Sequence, residues 1–292
     1  MNIKKFLYIH IKMNANANST NLNAITCIED IKHIFYINLD HRLDRKEHVE
    51  AQLNEVGLKG FQRFNAIKME NGAVGCSMSH LKLLQTALKK DYEHILILED
   101  DITFLDPELF KTQLNTFLQE QSKKEQSKKE QTKKEHLKKE QKDSSWDVVL
   151  IAGNNMPPYQ KIDDTCIKVT RCQTTTGYLV NGHYIEKLMN NVKMGLTNLL
   201  NDPAKHAQYA IDKFWFALQE TDNWFLITPL TVVQREDYSD IEKKVINYQN
   251  IMTDLDKKEL FEKVRLYKEE QQRKQEEYNS MMARFHKRMN LY

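Results

Sequence analysis

A run of apolar residues that ends in three carboxylates constrains the fold more than any other feature of this chain. Residues 95–98 read ILIL, and Glu99, Asp100 and Asp101 follow directly. A strand that is apolar on both faces is typical of a parallel sheet with helices on either side. Ligands bind outside the carboxyl ends of such strands. The run therefore predicts a buried strand with a site at its end.

Segments with strand character and segments with helix character alternate along the chain. Their order predicts an α/β fold with a mostly parallel central sheet. Asp40 is expected to cap the first helix, and Gly57 is expected to end it. The predicted strands cover residues 34–39, 61–67, 95–98, 146–153, 166–171, 174–181 and 225–234, and the predicted helices cover 42–56, 76–90, 107–118, 183–191, 207–219 and 241–290.

Three adjacent carboxylates at a strand end raise one another's pKa values unless positive charge neutralises them. A divalent cation held by carboxylate oxygens, with a diphosphate in its remaining positions, would supply that charge. Alternate residues of a strand share a face, so Glu99 and Asp101 are predicted to share a ligand while Asp100 caps the following turn. Acidic residues at strand ends are also common without a ligand, and that alternative stays open.

Basic residues follow the first strand. Arg42 and Arg45 lie in the segment NLDHRLDRKE, where their guanidinium groups could hold a phosphate with paired hydrogen bonds. A solvated start of a surface helix is the alternative interpretation. His80 lies in the next predicted helix, within GCSMSH, and a single histidine on a helix is more often structural than catalytic.

A lysine-rich insert separates the helix after the carboxylates from the next strand. Residues 119–143 repeat a five-residue unit and hold nine Lys against six Asp and Glu, which leaves the rest of the chain close to neutral. Glu and Lys recur four residues apart, so both a solvated helix and disorder are compatible with the pattern. The interspersed Glu residues argue against a nucleic-acid partner.

The ends of the chain and its cysteines suggest an intracellular protein. None of the four cysteines forms a C-x-x-C pair, which argues against a zinc ribbon and a thioredoxin site and favours reduced thiols. No apolar run approaches the ~20 residues of a membrane span. We expect residues 1–30 to be a loosely ordered leader and 241–292 a helical extension that packs or self-associates. The expected location is the cytoplasm, or the host cytoplasm for a viral chain.

Five segments occur in an order that resembles glycosyltransferase family 25, which includes lipooligosaccharide β-galactosyltransferases and procollagen galactosyltransferase-like enzymes. They are INLDHRLDR, GAVGCSMSHLKLL, HILILEDD, TTTGYLVN, and ID followed by P-x-x-x-x-Q. The resemblance spans about residues 34–234. It implies a glycosyltransferase domain over 31–240 with a Rossmann-like fold of the GT-A type. The insert and the tail lie outside this pattern.

The resemblance also implies roles for the residues at the donor side. Asn38, Arg42 and Arg45 would lie near the donor nucleotide. Asp101 would hold a divalent cation such as Mn²⁺ together with Glu99, with Asp100 or Glu99 nearer the ribose or the sugar. The wall beneath the donor would be formed by Gly75, Cys76, Ser79 and His80.

On the acceptor side, the resemblance assigns a strand that contains Thr176, Gly177 and Tyr178. Direct displacement at the anomeric carbon inverts its configuration and needs a base for the acceptor hydroxyl. Asp212 is the candidate base, although Glu220 and Asp222 lie close to it in the sequence.

The implied activity is transfer of galactose or glucose from a UDP-sugar to a glycan or to a hydroxylysine-type protein acceptor, with inversion and metal assistance. The alternative is a non-catalytic relative that keeps the fold and recruits partners through its insert and tail. A nucleotidyltransferase would want a Gly-rich basic loop after the first strand, and the sequence has none.

Overall fold

The computed structural model describes residues 25–134, 145–239 and 243–289. Most of the expected leader, the second part of the insert and the extreme carboxyl end therefore lie outside the described residues. The last residues of the leader are described, and they pack on the domain. Ile28–Asp30 forms a 3-10 turn, Ile28 is buried in the core, and the Asp30 carboxylate accepts the Thr26 N–H at 2.8 Å. The ordered core therefore begins before residue 31.

Fourteen strands occur in the described residues. They are β1 (Ile34–Asn38), β2 (Gln62–Asn65), β3 (His94–Glu99), β4 (Ile102–Phe104), β5 (Val148–Leu150), β6 (Asn154–Asn155), β7 (Gln160–Lys161), β8 (Cys166–Lys168), β9 (Cys172–Gln173), β10 (Gly177–Asn181), β11 (Trp224–Ile227), β12 (Val232–Gln234), β13 (Asp237–Ser239) and β14 (Lys244–Ile246).

The α-helices of the same residues cover both faces of the sheet and form the tail. They are α1 (Leu43–Glu55), α2 (Gly72–Lys89), α3 (Pro107–Lys134), α4 (Ile185–Asn201), α5 (His206–Tyr209), α6 (Ile211–Phe214), α7 (Phe216–Thr221), α8 (Gln249–Thr253) and α9 (Lys258–Met289).

An eight-stranded sheet with the order β2-β1-β3-β10-β5-β11-β8-β7 forms the centre of the domain. Six strands run in one direction, and β8 and β10 run in the other. The predicted α/β class with a mostly parallel sheet and a C-terminal helix is confirmed. The antiparallel β10 has a consequence for the site, because it brings the residues that precede it to the carboxyl end of β3.

Side chains that alternate along the central strands build two apolar layers. Leu96 and Leu98 of β3 pack in a cluster with α1 and α3, whereas Ile95 and Ile97 pack in a cluster with α2 and α4. All four side chains are fully buried. The period of two thus explains why residues 95–98 are apolar without interruption. No helix of the described residues combines the length and apolarity needed to cross a bilayer.

Several predicted helices have different bounds in the structure. Helix α2 begins at Gly72, because the Asn71 side chain caps it by accepting the N–H groups of Ala73 and Val74. Asp40 caps no helix: it is exposed and faces Arg63, and α1 begins after Arg42. Gly57 ends α1 as predicted, with a φ of +87° that favours glycine.

Two long predicted segments are divided. Residues 225–234 form β11 of the central sheet and β12 of a separate pair with β4, because Pro229, which cannot donate a ladder hydrogen bond, interrupts the run. The helical extension starts later than residue 241, since β14 pairs with β13 before α8 begins. Here Val245 and Ile246 are β-branched, which favours a strand.

Candidate functional site

A cleft of about 520 Å³ lies at the carboxyl ends of β1 and β3. The parallel pairing of these strands places Ile37 beside Glu99, and the antiparallel β10 delivers the loop before it to the same edge. The backbone N–H of Glu99 donates to the Thr176 carbonyl at 2.9 Å, which fixes this loop against the carboxylates. The charged residues in the lining are Arg42, Arg45, Lys68, Glu99, Asp100, Asp101, Asp212, Lys213, Arg235, Asp237 and Lys243.

The three consecutive carboxylates divide into two groups because β3 ends at Glu99. Residues 100 and 101 form a turn before β4, so the alternation of a strand no longer applies to them. Asp100 therefore does not point away from the site as predicted. It lines the cleft with Asp101, and both carboxylates contact the same guanidinium group, that of Arg45.

Arg45 is the main positive partner of these carboxylates. Its guanidinium lies 2.9 Å from Asp100 Oδ1, 3.4 Å from Asp101 Oδ2 and 3.1 Å from Asp237 Oδ2. Its side chain is largely buried, so the ion pairs are little screened by water. Arg42 also donates to Asp237 Oδ2, at 2.8 Å. The sequence did not single out Asp237, although it closely follows the strand that pairs with β4.

Asn38 organises the cleft from beneath. Its side chain is buried, donates to Asp100 Oδ2 at 2.7 Å and to the Arg42 carbonyl at 3.0 Å, and accepts from Arg63 Nε at 2.8 Å. These three bonds engage both ends of its amide, so Asn38 positions Asp100 and Arg42. Arg63 was also missed by the sequence interpretation. It lies on β2 next to β1, a position that only the sheet order reveals.

Glu99 belongs to a second polar group in the wall of the cleft. Its Oε1 accepts the Thr175 hydroxyl at 2.7 Å and lies 3.5 Å from His80 Nε2 and 3.6 Å from Cys76 Sγ. The other ring nitrogen of His80 contacts the Tyr178 hydroxyl at 2.7 Å. Glu99 is partly buried, yet its pKa is lowered because the contacts with His80 and Thr175 outweigh the cost of desolvation.

Asp101 has the most perturbed carboxyl group of the cleft. Burial, together with the nearby charges of Glu99 and Asp100, raises its pKa to about 7, and the contacts with Arg45 and Gln234 only partly oppose that rise. Its Oδ1 atom is buried and has no hydrogen-bond partner. An unpartnered buried carboxylate oxygen beside further carboxylates is the donor set that hard divalent cations prefer. Asp101 Oδ1 is therefore an available donor for a divalent cation, whereas the Glu99 carboxylate is held by Thr175 and lies beside Cys76 and His80.

The three candidates for the base differ in position, and Asp212 is the one that lines the cleft. Asp212 lines the cleft, where burial raises its pKa and the Thr174 N–H donates to it at 3.2 Å. Asp222 instead contacts Tyr184 and Lys187, and Glu220 lies near Arg171. A carboxylate with a raised pKa is a stronger base, so Asp212 is the one of the three that is suited to proton abstraction from a bound hydroxyl.

The predicted acceptor strand does not reach the cleft with its own side chains. Thr176 and Tyr178 are fully buried, and the Tyr178 ring packs against Trp215 in the core. Residues just before them, Thr174 and Thr175, line the cleft instead. Thr174 has a φ of +77°, a strained conformation that is found mostly at functional sites. The predicted wall residues Gly75, Cys76, Ser79 and His80 do line the cleft.

Comparison with known proteins confirms the resemblance that the motifs predict. A family model described as "Glycosyltransferase family 25 (LPS biosynthesis protein)" matches residues 68–199. The matched segment contains the cluster of Cys76, His80 and Glu99 as well as Asp101, whereas Asp212 lies beyond it. A curated "Glycosyltransferase 25 family member" of Drosophila pseudoobscura pseudoobscura is 29% identical. That alignment covers 26% of this chain and 16% of the relative, so this chain spans a small part of the relative's length.

Three solved structures show more distant likenesses. A glycosyltransferase involved in glycosylation of the major capsid of PBCV-1 is 13% identical over 77% of this chain and 89% of the other, with a TM-score of 0.35. A Drosophila β-1,4-galactosyltransferase 7 mutant was solved in complex with manganese, UDP-Gal and xylobiose. It is 16% identical over 54% of this chain and 52% of the other, with a TM-score of 0.27. Mannose-1-phosphate geranyltransferase from Thermus thermophilus is 12% identical over 68% of this chain and 74% of the other, with a TM-score of 0.34. Likenesses of this size carry no conclusion about activity.

Proposed function

We propose that the chain transfers a hexose from a nucleotide-diphospho-sugar to an acceptor hydroxyl, because residues 68–199 match the model of glycosyltransferase family 25. The proposed donor is UDP-galactose or UDP-glucose, held in a GT-A type site. The proposed acceptor is a glycan or a hydroxylysine-type side chain of a protein. Transfer is proposed to invert the anomeric carbon.

The unpartnered Oδ1 of Asp101 is the observation that carries this proposal. A buried carboxylate with a pKa of about 7 destabilises the folded protein at neutral pH unless a cation joins it. Asp101 and Glu99 would hold a divalent cation such as Mn²⁺, which when bound supplies positive charge for the departing diphosphate. Arg42 and Arg45, which contact the carboxylates of the cleft, would provide guanidinium groups for the same diphosphate.

Asp212 completes the reaction on the acceptor side. The acceptor oxygen attacks the anomeric carbon while the bond from that carbon to the diphosphate oxygen breaks, and the hydroxyl proton passes to the Asp212 carboxylate. Burial raises the pKa of Asp212, which improves it as a base. Lys213 lies 3.9 Å from the same carboxylate and opposes that rise, so the group remains able to ionise.

The remaining partners follow from the same proposal. The substrates are a sugar nucleotide and a glycan or protein acceptor, and nucleic acid is not a partner. The protein is proposed to act in the cytoplasm. Self-association through α9 is part of the proposal, supported by exposed apolar side chains on that helix such as Met281 and Phe285. A scaffold that has lost catalysis would have little use for the buried cluster of carboxylates and arginines.

A screen of UDP- and GDP-sugars for thermal stabilisation, with and without Mn²⁺, tests the donor site. A ligand that binds only the folded state adds about 2.7 kcal/mol at 100 times its Kd. We expect one UDP-hexose to raise the melting temperature only when Mn²⁺ is present. Asp101→Asn should abolish this shift. Asp164→Asn is the matched control, because Asp164 is exposed, pairs with Lys161 and lies outside the cleft.

The outcomes divide clearly. A shift that requires Mn²⁺ and Asp101, but not Asp164, supports the proposal. If no sugar nucleotide shifts the melting curve under either condition, the transferase proposal is wrong for this chain. If the shift persists in Asp101→Asn, donor binding stands but the assignment of Asp101 to the cation fails.

A further inference from the structure

The wall of the cleft holds a second group of metal-binding side chains that the proposed reaction does not explain. Cys76 Sγ, His80 Nε2 and a Glu99 carboxylate oxygen all lie within 4.8 Å of one another. A thiol, an imidazole and a carboxylate are the three kinds of side chain that bind zinc. Transfer of a sugar with the help of a hard cation calls for neither a thiol nor an imidazole.

The separations within this group are compatible with a metal ion held between the three side chains. Cys76 Sγ lies 3.6 Å from Glu99 Oε1, and His80 Nε2 lies 3.5 Å from the same oxygen. The His80 separation is longer than the roughly 2.9–3.0 Å of a good N–H···O hydrogen bond. Ligands at the usual zinc distances of about 2.0–2.3 Å, at tetrahedral angles, lie roughly 3.3–3.5 Å apart. The two measured separations are close to the edges of such a tetrahedron.

The surroundings of His80 suit a ligand as well. Its Nδ1 lies 2.7 Å from the Tyr178 hydroxyl, and the two rings stack. When Nδ1–H donates to that oxygen, the lone pair of Nε2 points to the group formed with Cys76 and Glu99. Histidines that bind metals almost always donate their second ring nitrogen in this way. Thr175 in turn holds the Glu99 carboxylate with a hydrogen bond of 2.7 Å.

The positions of the three residues on the fold make the arrangement rigid. Cys76 and His80 lie four residues apart on α2, so both side chains project from the same face of one helix. Glu99 is the last residue of β3, the central strand next to that helix. All three residues line the cleft, which gives a metal ion a path of entry from solvent.

We propose that Cys76, His80 and Glu99 form a zinc site, distinct from the cation site at Asp101. On binding, the Cys76 thiol loses its proton to solvent and its sulfur bonds to Zn²⁺, while three protein ligands leave a fourth position for water. Glu99 is the residue that the two sites share, so this inference rests in part on the proposed function. A Glu99 carboxylate bound to zinc is a weaker ligand for a second cation, so zinc competes with the donor-linked cation and inhibits transfer.

Cobalt spectroscopy on the intact protein tests the site without any assay of activity. Co²⁺ replaces Zn²⁺ at such sites, and a bond to a thiolate gives an intense charge-transfer band in the near ultraviolet. We expect one equivalent of Co²⁺ to produce this band and Zn²⁺ to abolish it. Competition with a chromogenic chelator then gives the zinc affinity. Absence of the band from the wild-type protein at saturating Co²⁺ would overturn the proposal.

Variants separate this site from its neighbours. Cys76→Ser should abolish the band and weaken zinc binding by more than about 100-fold, and Tyr178→Phe should weaken it by about 10–100-fold, because it removes the partner that orients His80. Cys27→Ser is the matched control: Cys27 is also partly accessible and has Asp30 nearby, yet it lies on the opposite side of the sheet from α2. The control should leave the band unchanged.

Asp101→Asn distinguishes failure of this site from failure of the proposed function. It should keep the thiolate band while it loses the Mn²⁺-dependent shift with a sugar nucleotide. Equal zinc affinity in Cys76→Ser and in the wild-type protein would refute the zinc site even if donor binding is intact. Melting curves of each variant identify any that fails to fold, and the wild-type cobalt spectrum decides the question independently of them.

Discussion

The carboxylates of the cleft lie beside its arginines, and desolvation makes their negative charge costly. Arg45 contacts Asp100, Asp101 and Asp237, and Arg42 contacts Asp237 as well. Glu99 contacts Thr175 and His80 instead. Desolvation accordingly raises the pKa of Asp100 as well as that of Asp101, despite the contact of both with Arg45. The proposed cation would offset this cost, and single substitutions at these carboxylates are therefore informative.

Asp212→Asn tests the proposed base. We expect kcat to fall by about 10²–10⁴ because the amide cannot accept the hydroxyl proton, while binding of the sugar nucleotide is unchanged. Steady-state kinetics with the donor identified by thermal shift, together with that shift itself, measure the two effects. Glu220→Gln is the matched control, since Glu220 is exposed and pairs weakly with Arg171. Equal loss of kcat in both variants would remove Asp212 from its role.

His94 predicts a weakness in mild acid that has nothing to do with catalysis. This histidine is buried at the start of β3, where its Nε2 accepts the Lys32 N–H at 2.9 Å. Burial, with a smaller contribution from His33, lowers its pKa from 6.5 to about 4. The unfolded chain therefore binds a proton more readily, and stability is lost as the pH falls from about 6.5 to about 4, by up to about 3 kcal/mol.

His94→Gln should reduce that loss, because a side chain that does not titrate can accept the same N–H without becoming charged. Urea unfolding at pH 7, 5.5 and 4.5 measures the difference. His41→Gln, an exposed histidine before α1, provides the comparison and should follow the wild-type pH profile. A His94→Gln profile as steep as that of the wild type would show that other groups control acid stability.

At the level of elements, the cleft depends on how closely α2 approaches the loop that precedes it. A Cβ atom built on Gly75 would lie 2.5 Å from the Ile67 carbonyl oxygen and 3.3 Å from the Met69 nitrogen. Both atoms belong to the backbone, so neither can rotate away. Residues 67–69 and Gly75 line the cleft together, and the absence of a side chain at Gly75 allows the two walls to meet.

Gly75→Ala should therefore destabilise the protein by about 1–3 kcal/mol, even though alanine favours helix by nearly 1 kcal/mol. Chemical unfolding gives the change in free energy, and the Mn²⁺-dependent thermal shift shows whether the donor site moves. Gln85→Ala, at an exposed position of the same helix, should stay within about 0.5 kcal/mol of the wild type. A stable Gly75→Ala variant would mean that the loop yields more easily than its backbone contacts indicate.

The central strands were predictable from the sequence because their physics is local. Residues 95–98 are apolar on both faces, and that pattern alone placed β3 in the interior and the carboxylates at its end. Pairing between distant strands is not local. No nearby signal shows that β10 runs antiparallel to β3, or that Asp237 returns to Arg45 from 192 residues away. For the same reason the hydrogen bond from Arg63 to Asn38 could not be predicted from the sequence.

For the molecule as a whole, the lysine-rich segment enters and leaves the domain at nearly one point. Helix α3 packs on the core through Phe117 and Leu118, and beyond these Gln121 and Ser122 are still buried. The Ser145 hydroxyl lies 3.3 Å from the Gln121 carbonyl and 3.1 Å from Glu125 Oε1. The part of the insert that the domain needs thus extends past residue 119, where the composition changes, to about residue 125.

Two deletions test this boundary. Replacement of residues 126–144 by three glycines should leave the melting temperature and the donor-induced shift unchanged, since Glu125 and Ser145 already touch. Deletion of 119–143, the segment defined by composition, should lower stability because it also removes the buried Gln121 and Ser122. Differential scanning calorimetry of both forms measures the contrast, and equal stability of the two would place the boundary at residue 119 after all.

Because Glu125 and Ser145 are in contact, the number of five-residue repeats between them can change without a change in the fold of the domain. Insertion or loss of whole five-residue units between Glu125 and Ser145 leaves this contact in place, so no strand of the sheet has to shift. Within the described residues the cleft lining takes nothing from α3. The lysine-rich insert is therefore a suitable attachment point for a fluorescent label or an affinity tag that leaves the residues of the cleft unchanged.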